Sequence, residues 1–397
     1  MSNLWSTNHP AQFWQTKYHI EDQLWREAIQ KAAEKSTIFA NTSSIDDILF
    51  QSLGEGRFGS KHWGLPLFYQ FYWKIKPIFP MTTIRKVRSL VHKTERRLAK
   101  DNWPIDDRYV KFQWEVMRQV IMLYGRTSIP FVDFWPNNHT MALVITHDVE
   151  SIDGQKHISA VADLEEKYGF CSSFNIIGSQ LPNDFSQFVE LKDRGFEIGI
   201  HGWHHVSTMY SSQKNFNIHA IHINRFLQRI GAVGMRSPLN LRNPEWMQAL
   251  NIEYDLSFFD TDPFEPIPGG AMSIWPFFIG HFVELPATLV QDNTLVNLLG
   301  ESSPQLWMDK IAFLEKYHGM ALVNCHPDYL VNKTLWNVYE RFLATMQEKQ
   351  QYWNALPRDV ARWWRIRSDC DQIEKLNLHF REARLVDEHL MISDYLP

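Results

Sequence analysis

From residue 141 onward, short apolar runs alternate with amphipathic stretches. The runs at 142–145, 171–178, 196–200, 234–235, 252–258 and 320–324 are short and mainly apolar, as strands buried on both faces require. Between them, 154–168 carries Ile158, Val161 and Leu164 at helical spacing, and 215–230 carries Ile218, Ile221, Ile223, Phe226 and Leu227. Stretches 184–194, 245–250 and 305–317 read the same way, while 277–289 is strand-like and interrupted by Gly280. Two further helices, 335–348 and 357–367, surround a strand-like 352–356. Strand–helix units repeated at this length predict an α/β fold with a parallel sheet, open or closed into a barrel.

Residues 1–138 have a different texture, dominated by helical signals. The stretch 12–34 spaces Phe13, Tyr18, Ile20, Leu24 and Ile29 among charges, and a polar stretch follows at 41–47. Residues 65–80 are nearly all aromatic or aliphatic, and Arg85, Lys86, Arg88, Lys93, Arg96, Arg97 and Lys100 come directly after. An apolar-aromatic patch beside a basic helix suits the surface of an anionic membrane. Buried aromatics beneath an exposed basic face are the commoner arrangement. The expected organisation is a helical N-terminal extension over 1–138, the strand–helix domain over 139–368 and a C-terminal tail over 369–397.

Composition narrows the classes. A net charge of −5 gives no global argument for nucleic acid. The 16 Trp and 26 Phe suit stacking on sugar rings, although most aromatics in globular proteins simply fill cores. Cys171, Cys325 and Cys370 are odd in number and scattered, which argues against a disulfide framework or a zinc ribbon. Residues 1–23 contain no apolar secretory core, and nowhere does the chain supply the roughly 18 apolar residues of a bilayer span. The cytoplasm is the expected address.

The ionisable residues collect where the apolar runs stop. After 142–145 come Thr146, His147, Asp148 and Glu150, a pattern that fits delivery of acids to the mouth of a sheet or barrel. Asp148 and Glu150 share one side of an extended chain, where like carboxylates repel unless a cation or a proton lies between them. After Ile200 come His201, Gly202, Trp203, His204 and His205. On a helical turn His201 and His205 would share a face, a spacing that many metal sites use. Arg236 follows 234–235, and arginine at a strand end is a natural partner for a carboxylate. His326 follows 320–324 and Cys325. A lone histidine after a core strand is usually structural, but in a parallel barrel these strand ends converge on one face. The set predicts a single-metal hydrolase site. Glu150, His201 and His205 would bind the ion and leave a position open for water. Asp148, kept ionised by Arg236, would act as general base, and His326 would protonate the leaving nitrogen.

This order of motifs resembles the polysaccharide deacetylase (NodB-homology) family. The resemblance runs over residues 141–329 and implies a distorted (β/α) barrel of about seven strands that removes acetyl groups from amino sugars with a bound metal. The family's first motif, commonly Thr-Phe-Asp-Asp-Gly, stands here as Thr146-His147-Asp148-Val149-Glu150. Val149 replaces the usual metal-binding acid, and Glu150 matches a subgroup with an Asp-x-Glu form. The second motif matches His201 to His205 with Gly202 in place of Ser or Thr, and leaves His204 extra. Arg236-Ser237-Pro238 matches the third, and Asn324-Cys325-His326 matches the last loosely. The family's remaining acid, which tunes the catalytic histidine, has four candidates: Asp255, Asp260, Glu284 and Asp292. Segments 103–107 and 353–365 look like those accompanying deacetylases of bacterial surface-polysaccharide clusters.

The expected activity is therefore metal-dependent N-deacetylation of an amino sugar in a surface polysaccharide or its lipid- or nucleotide-linked precursor. Residues 65–100 would suit contact with the inner membrane face. Zinc is the first expectation for the ion, and cobalt, nickel and manganese fit the same donors. Two other readings keep the fold: a deformylase or small-molecule amide hydrolase with this site, and a non-catalytic glycan-binding protein.

Overall fold

The central sheet is built around β2 (Met141–Val149), which is buried along its whole length. In this computed structural model, which describes residues 4–42, 44–59, 62–65, 102–180, 185–369, 373, 375–376 and 378–395, β2 pairs on one edge with β9 (Met320–Cys325). On its other edge β10 (Tyr352–Asn354) covers the first residues and β3 (Ser173–Ile176) the last. The sheet continues through β4 (Glu197–Ile200), β5 (Gly234–Met235), β6 (Tyr254–Asp255) and β8 (Phe282–Glu284), all parallel. It ends in β7 (Phe277–Ile279), antiparallel to β8. Beyond β8 the chain meets β9, where Leu289 N–H donates to Leu322 O at 3.0 Å and Leu322 N–H donates to Thr288 Oγ1 at 2.9 Å. Seven strands thus curl around one interior, and the expected distorted barrel is the fold observed.

The sequence reading ended the first strand at Ile145. It runs on to Val149 because Thr146, His147 and Asp148 each find partners inside the protein. Helices join the strands as the rhythm required. They are α5 (Ile152–Lys167), α6 (Ser186–Asp193), α7 (Gln213–Ile230), α8 (Pro244–Met247), α9 (Gln305–Lys316), α10 (Pro327–Leu330), α11 (Lys333–Glu348) and α12 (Pro357–Arg367). The Ser151 hydroxyl caps α5 by accepting from Gly154 N–H. Helix α7 buries Phe216, Ala220, Ile223, Phe226 and Leu227 but leaves Ile218 and Ile221 exposed, so the apolar stripe is narrower than its sequence suggested.

In the N-terminal region the expected helix over 12–34 is two, α1 (Pro10–Trp14) and α2 (Asp22–Lys35), separated at Gln15 by a left-handed φ of 46°. They are followed by α3 (Ile45–Ser52), α4 (Arg108–Leu123) and β1 (Ser128–Val132). Aromatic packing joins this region to the barrel: Trp114 stacks on Trp275 at 5.6 Å between centroids, Phe134 on Trp275 at 5.9 Å, and Phe13 meets Trp275 edge-on at 4.9 Å. Buried Arg367 of α12 donates to the carbonyls of Phe13, Val132 and Asp133. Much of the aromatic content is therefore core. Residues 380–394, expected within a tail, form a hairpin of β11 (Phe380–Val386) and β12 (His389–Asp394), and β11 pairs antiparallel with β1. The apolar and basic stretch at 65–100, apart from Leu65, lies outside the described residues, as does Cys370. Among the described residues no helix is long and apolar enough to cross a membrane.

Strand alternation makes the barrel interior polar at both ends. At the floor, Glu197 at the start of β4 accepts from Tyr254 Oη at 2.8 Å and from Arg358 N–H, in the first turn of α12, at 3.1 Å. Burial outweighs these bonds and pushes the Glu197 carboxyl up to about 7. At the opposite end lie the residues expected to carry chemistry.

Candidate active site

Asp148 belongs to β2, and neighbours on β3, on β9 and just beyond the end of β5 surround it. Asn175 Nδ2 and Asn324 Nδ2 donate to its two oxygens at 3.0 and 2.9 Å, and Arg236 Nη1 stands 3.3 Å from Oδ1. Burial alone would raise this carboxyl. The charges of His201, Arg236 and His326, with the Asn175 bond, prevail and hold it well below the usual carboxylate range. Arg236 is itself fixed: Nε donates to Leu256 O at 2.9 Å, and Nη1 to Thr146 Oγ1 at 2.9 Å and to Asn324 Oδ1 at 2.5 Å. Space for this constellation comes from Gly199, where a Cβ would lie 2.3 Å from Asn175 Oδ1.

Beyond the end of β4, His201 and His205 come together through a bend rather than the helical turn expected. Gly202 makes the bend, with φ of 71° and a Cα against which Pro238 packs so closely that a Cβ would sit 2.6 Å from it. The departure from Ser or Thr at this position thus has a steric cause. The two rings lie 5.2 Å apart between centroids. His201 Nδ1 lies 3.1 Å from Arg236 O, which assigns its proton to Nδ1 and leaves Nε2 a lone pair. Burial lowers the His201 pKa to about 4. Its Nε2 is buried without a hydrogen-bond partner, and so is Nε2 of His205, which stands 3.2 Å from Glu150 Oε1 without hydrogen-bonding geometry. Burial would raise the Glu150 carboxyl, but the neighbouring histidines bring it down to about 2.

Glu150, His201 and His205 each offer a donor atom, all within 4.8 Å of one another. Two imidazole nitrogens and one carboxylate oxygen suit a divalent first-row ion, and the Nδ1–H bond of His201 to a carbonyl is how a ligating imidazole is usually oriented. The donor set fits a metal. His326, after β9, completes the mouth: its Nδ1 meets Asp292 Oδ1 at 2.7 Å and its backbone N–H donates to Asp292 Oδ2 at 2.9 Å. Burial would lower this imidazole, yet Asp292, Glu150 and Asp148 raise it to about 10.

Of the four acids considered as its tuner, Asp292 is the one in contact. Asp260 pairs with buried Lys310 at 2.7 Å. Asp255 and Glu284 are register partners on β6 and β8, where Ser257 donates to Asp255 through N–H and Oγ, and burial together with the Asp255 charge raises the Glu284 carboxyl well above its ordinary value. His204 is exposed, its ring edge-on to His219 at 5.9 Å between centroids, and it takes no part in the cluster of donors. Sequence reasoning missed Asn175, Asn324, Asp328 and Tyr329. The signal for the first two was a lone amide in each of two apolar strands, Phe174-Asn175-Ile176 and Val323-Asn324-Cys325.

No family model and no curated protein matches this chain. Solved structures similar to it include a probable polysaccharide deacetylase from Pseudomonas aeruginosa PAO1, with 15% identity, TM-score 0.49, and coverage of 59% of this chain and 93% of that one. Puue allantoinase has 12% identity, TM-score 0.48 and the same coverage. Peptidoglycan deacetylase PdaC from Bacillus subtilis has 13% identity and TM-score 0.39, covering 61% of this chain and 98% of that one. At these identities and scores the chemistry is read from the side chains alone.

Proposed function

We propose that the barrel mouth is a metal-dependent hydrolase site that removes an N-acetyl group from an amino sugar of a surface polysaccharide or its lipid- or nucleotide-linked precursor. The observation that carries this reading is the division of labour among neighbouring groups. Two buried imidazole nitrogens without a hydrogen-bond partner face a carboxylate, while a second carboxylate is gripped by two amides and a guanidinium and a third imidazole is anchored on Asp292. Held by Glu150, His201 and His205, a divalent ion would supply the positive charge that polarises an amide carbonyl.

The chain's own groups do the proton work. Asp148 takes a proton from the attacking water, and its charged form is secured by Asn175, Asn324 and Arg236. His326 keeps Nδ1 on Asp292 and presents Nε2 to the leaving nitrogen, which must gain a proton to depart. Elemental analysis of the purified chain and of His205→Ala tests the ion, and assay of acetate against formate from N-acetyl and N-formyl sugars tests the acyl group. One transition-metal ion per chain with acetate release supports the reading. Formate release would move the assignment to a deformylase, and no bound metal after incubation with zinc or cobalt would refute it. A lipid-linked precursor as substrate would also require contact with the inner membrane face, testable by co-sedimentation with anionic vesicles.

A further inference from the structure

We infer that Tyr329 is a positioning residue that commits one oxygen of Glu150 and so makes this carboxylate a one-oxygen metal ligand. The inference rests on the metal site proposed above. Tyr329 Oη donates to Glu150 Oε2 at 2.9 Å, while Oε1 is the oxygen 3.2 Å from His205 Nε2. A carboxylate with both oxygens free can chelate, as the large oxygen-rich shells of hard cations prefer. With Oε2 occupied, Glu150 offers one oxygen beside two imidazoles, the donor set of a compact N/O site.

The same turn grips the backbone of its target. Asp328 Oδ2 accepts from Glu150 N–H at 2.9 Å, and the Ser151 hydroxyl donates to Oδ1. The start of α5 is pressed onto this carboxylate so closely that a Cβ at Gly154 would lie 2.2 Å from Oδ2. His326 belongs to the same turn, its ring 4.9 Å from that of Tyr329 between centroids. One four-residue segment, His326 to Tyr329, therefore carries the proton donor and orients the acidic ligand.

The test uses the full chain, stripped by chelator, with zinc affinity read by competition against a chromophoric chelator and cobalt loading read by visible absorption. Tyr329→Phe removes a single oxygen from a half-buried side chain, and its metal-free melting temperature checks the fold. The expected result is zinc binding about 10–100-fold weaker than wild type, an altered cobalt spectrum and unchanged melting. Asp328→Asn, which keeps one acceptor, is expected to weaken binding less. Wild-type affinity and spectrum in Tyr329→Phe would overturn the inference and leave the metal site standing. Absence of zinc binding in wild type and His205→Ala alike would overturn the site itself.

Discussion

Asp148 and Glu197 sit at opposite ends of one barrel interior, at 3% and 2% exposure, and reach opposite states. Burial penalises both equally, so their partners must account for the difference. Asp148 has two amide donors, a guanidinium and nearby imidazoles, and stays charged. Glu197 has a phenol and one backbone N–H, and is pushed up to about 7. A buried acid stays ionised here only where cationic and amide donors offset the penalty of burial.

The sharpest way to break this contrast is at the mouth. His205→Ala is expected to lose bound metal and turnover together, because two remaining ligands hold a divalent ion poorly. Full occupancy by elemental analysis would refute the ligand assignment. Asp148→Asn should keep the metal yet lower kcat by about 10²–10⁴, the range expected for a lost general base. Unchanged turnover would assign the base elsewhere. Asp292→Asn removes a carboxylate that raises the pKa of His326, so the alkaline limb of kcat/KM should move down by about one pH unit or more. An unmoved limb would mean that His326 does not set it.

The floor gives the smallest effect and the opposite sign. Glu197 has a folded pKa raised above its ordinary 4.5, so its full contribution to stability is present below that value and is lost as pH rises through about 7. Glu197→Gln should therefore stabilise the chain at pH 8 by up to about 3 kcal/mol and give little at pH 4. Chemical denaturation at the two pH values checks it. Equal effects at both would show that folding leaves the pKa of this carboxyl unchanged.

Residues delivered by strand ends were legible in the sequence; residues held by other means were not. Asp148, Glu150, Arg236 and His326 stood out because each interrupts an apolar run where packing gives no reason for a charge. Asn175 and Asn324 lie inside such runs, and an amide there is explained only by the carboxylate across the barrel. Asp292 could not be told from Asp255, Asp260 and Glu284, because an irregular path after β8 brings it, as the first residue of a short helical segment, to His326, and irregular paths carry no periodicity. The histidine pair was found for an imperfect reason: spacing of four suggested a helix, whereas Gly202 and Pro238 fold a bend. The parallel strand–helix order followed from rhythm, which left the sheet open or closed, and the barrel came from the resemblance of its motifs, while the β1–β11 pairing joins segments too distant for any local pattern to announce.

That pairing has a consequence during synthesis. Ser128 emerges from the ribosome long before Arg384, its partner across the ladder, and Arg367 must also appear before it can bind the carbonyls of Phe13 and Val132. The early segment must wait with Phe134 not yet covered by Trp275 and Arg367 while the barrel is still being translated. Nascent chains of this protein should accordingly engage chaperones that recognise aromatic surface, and release from them should follow translation of Arg367.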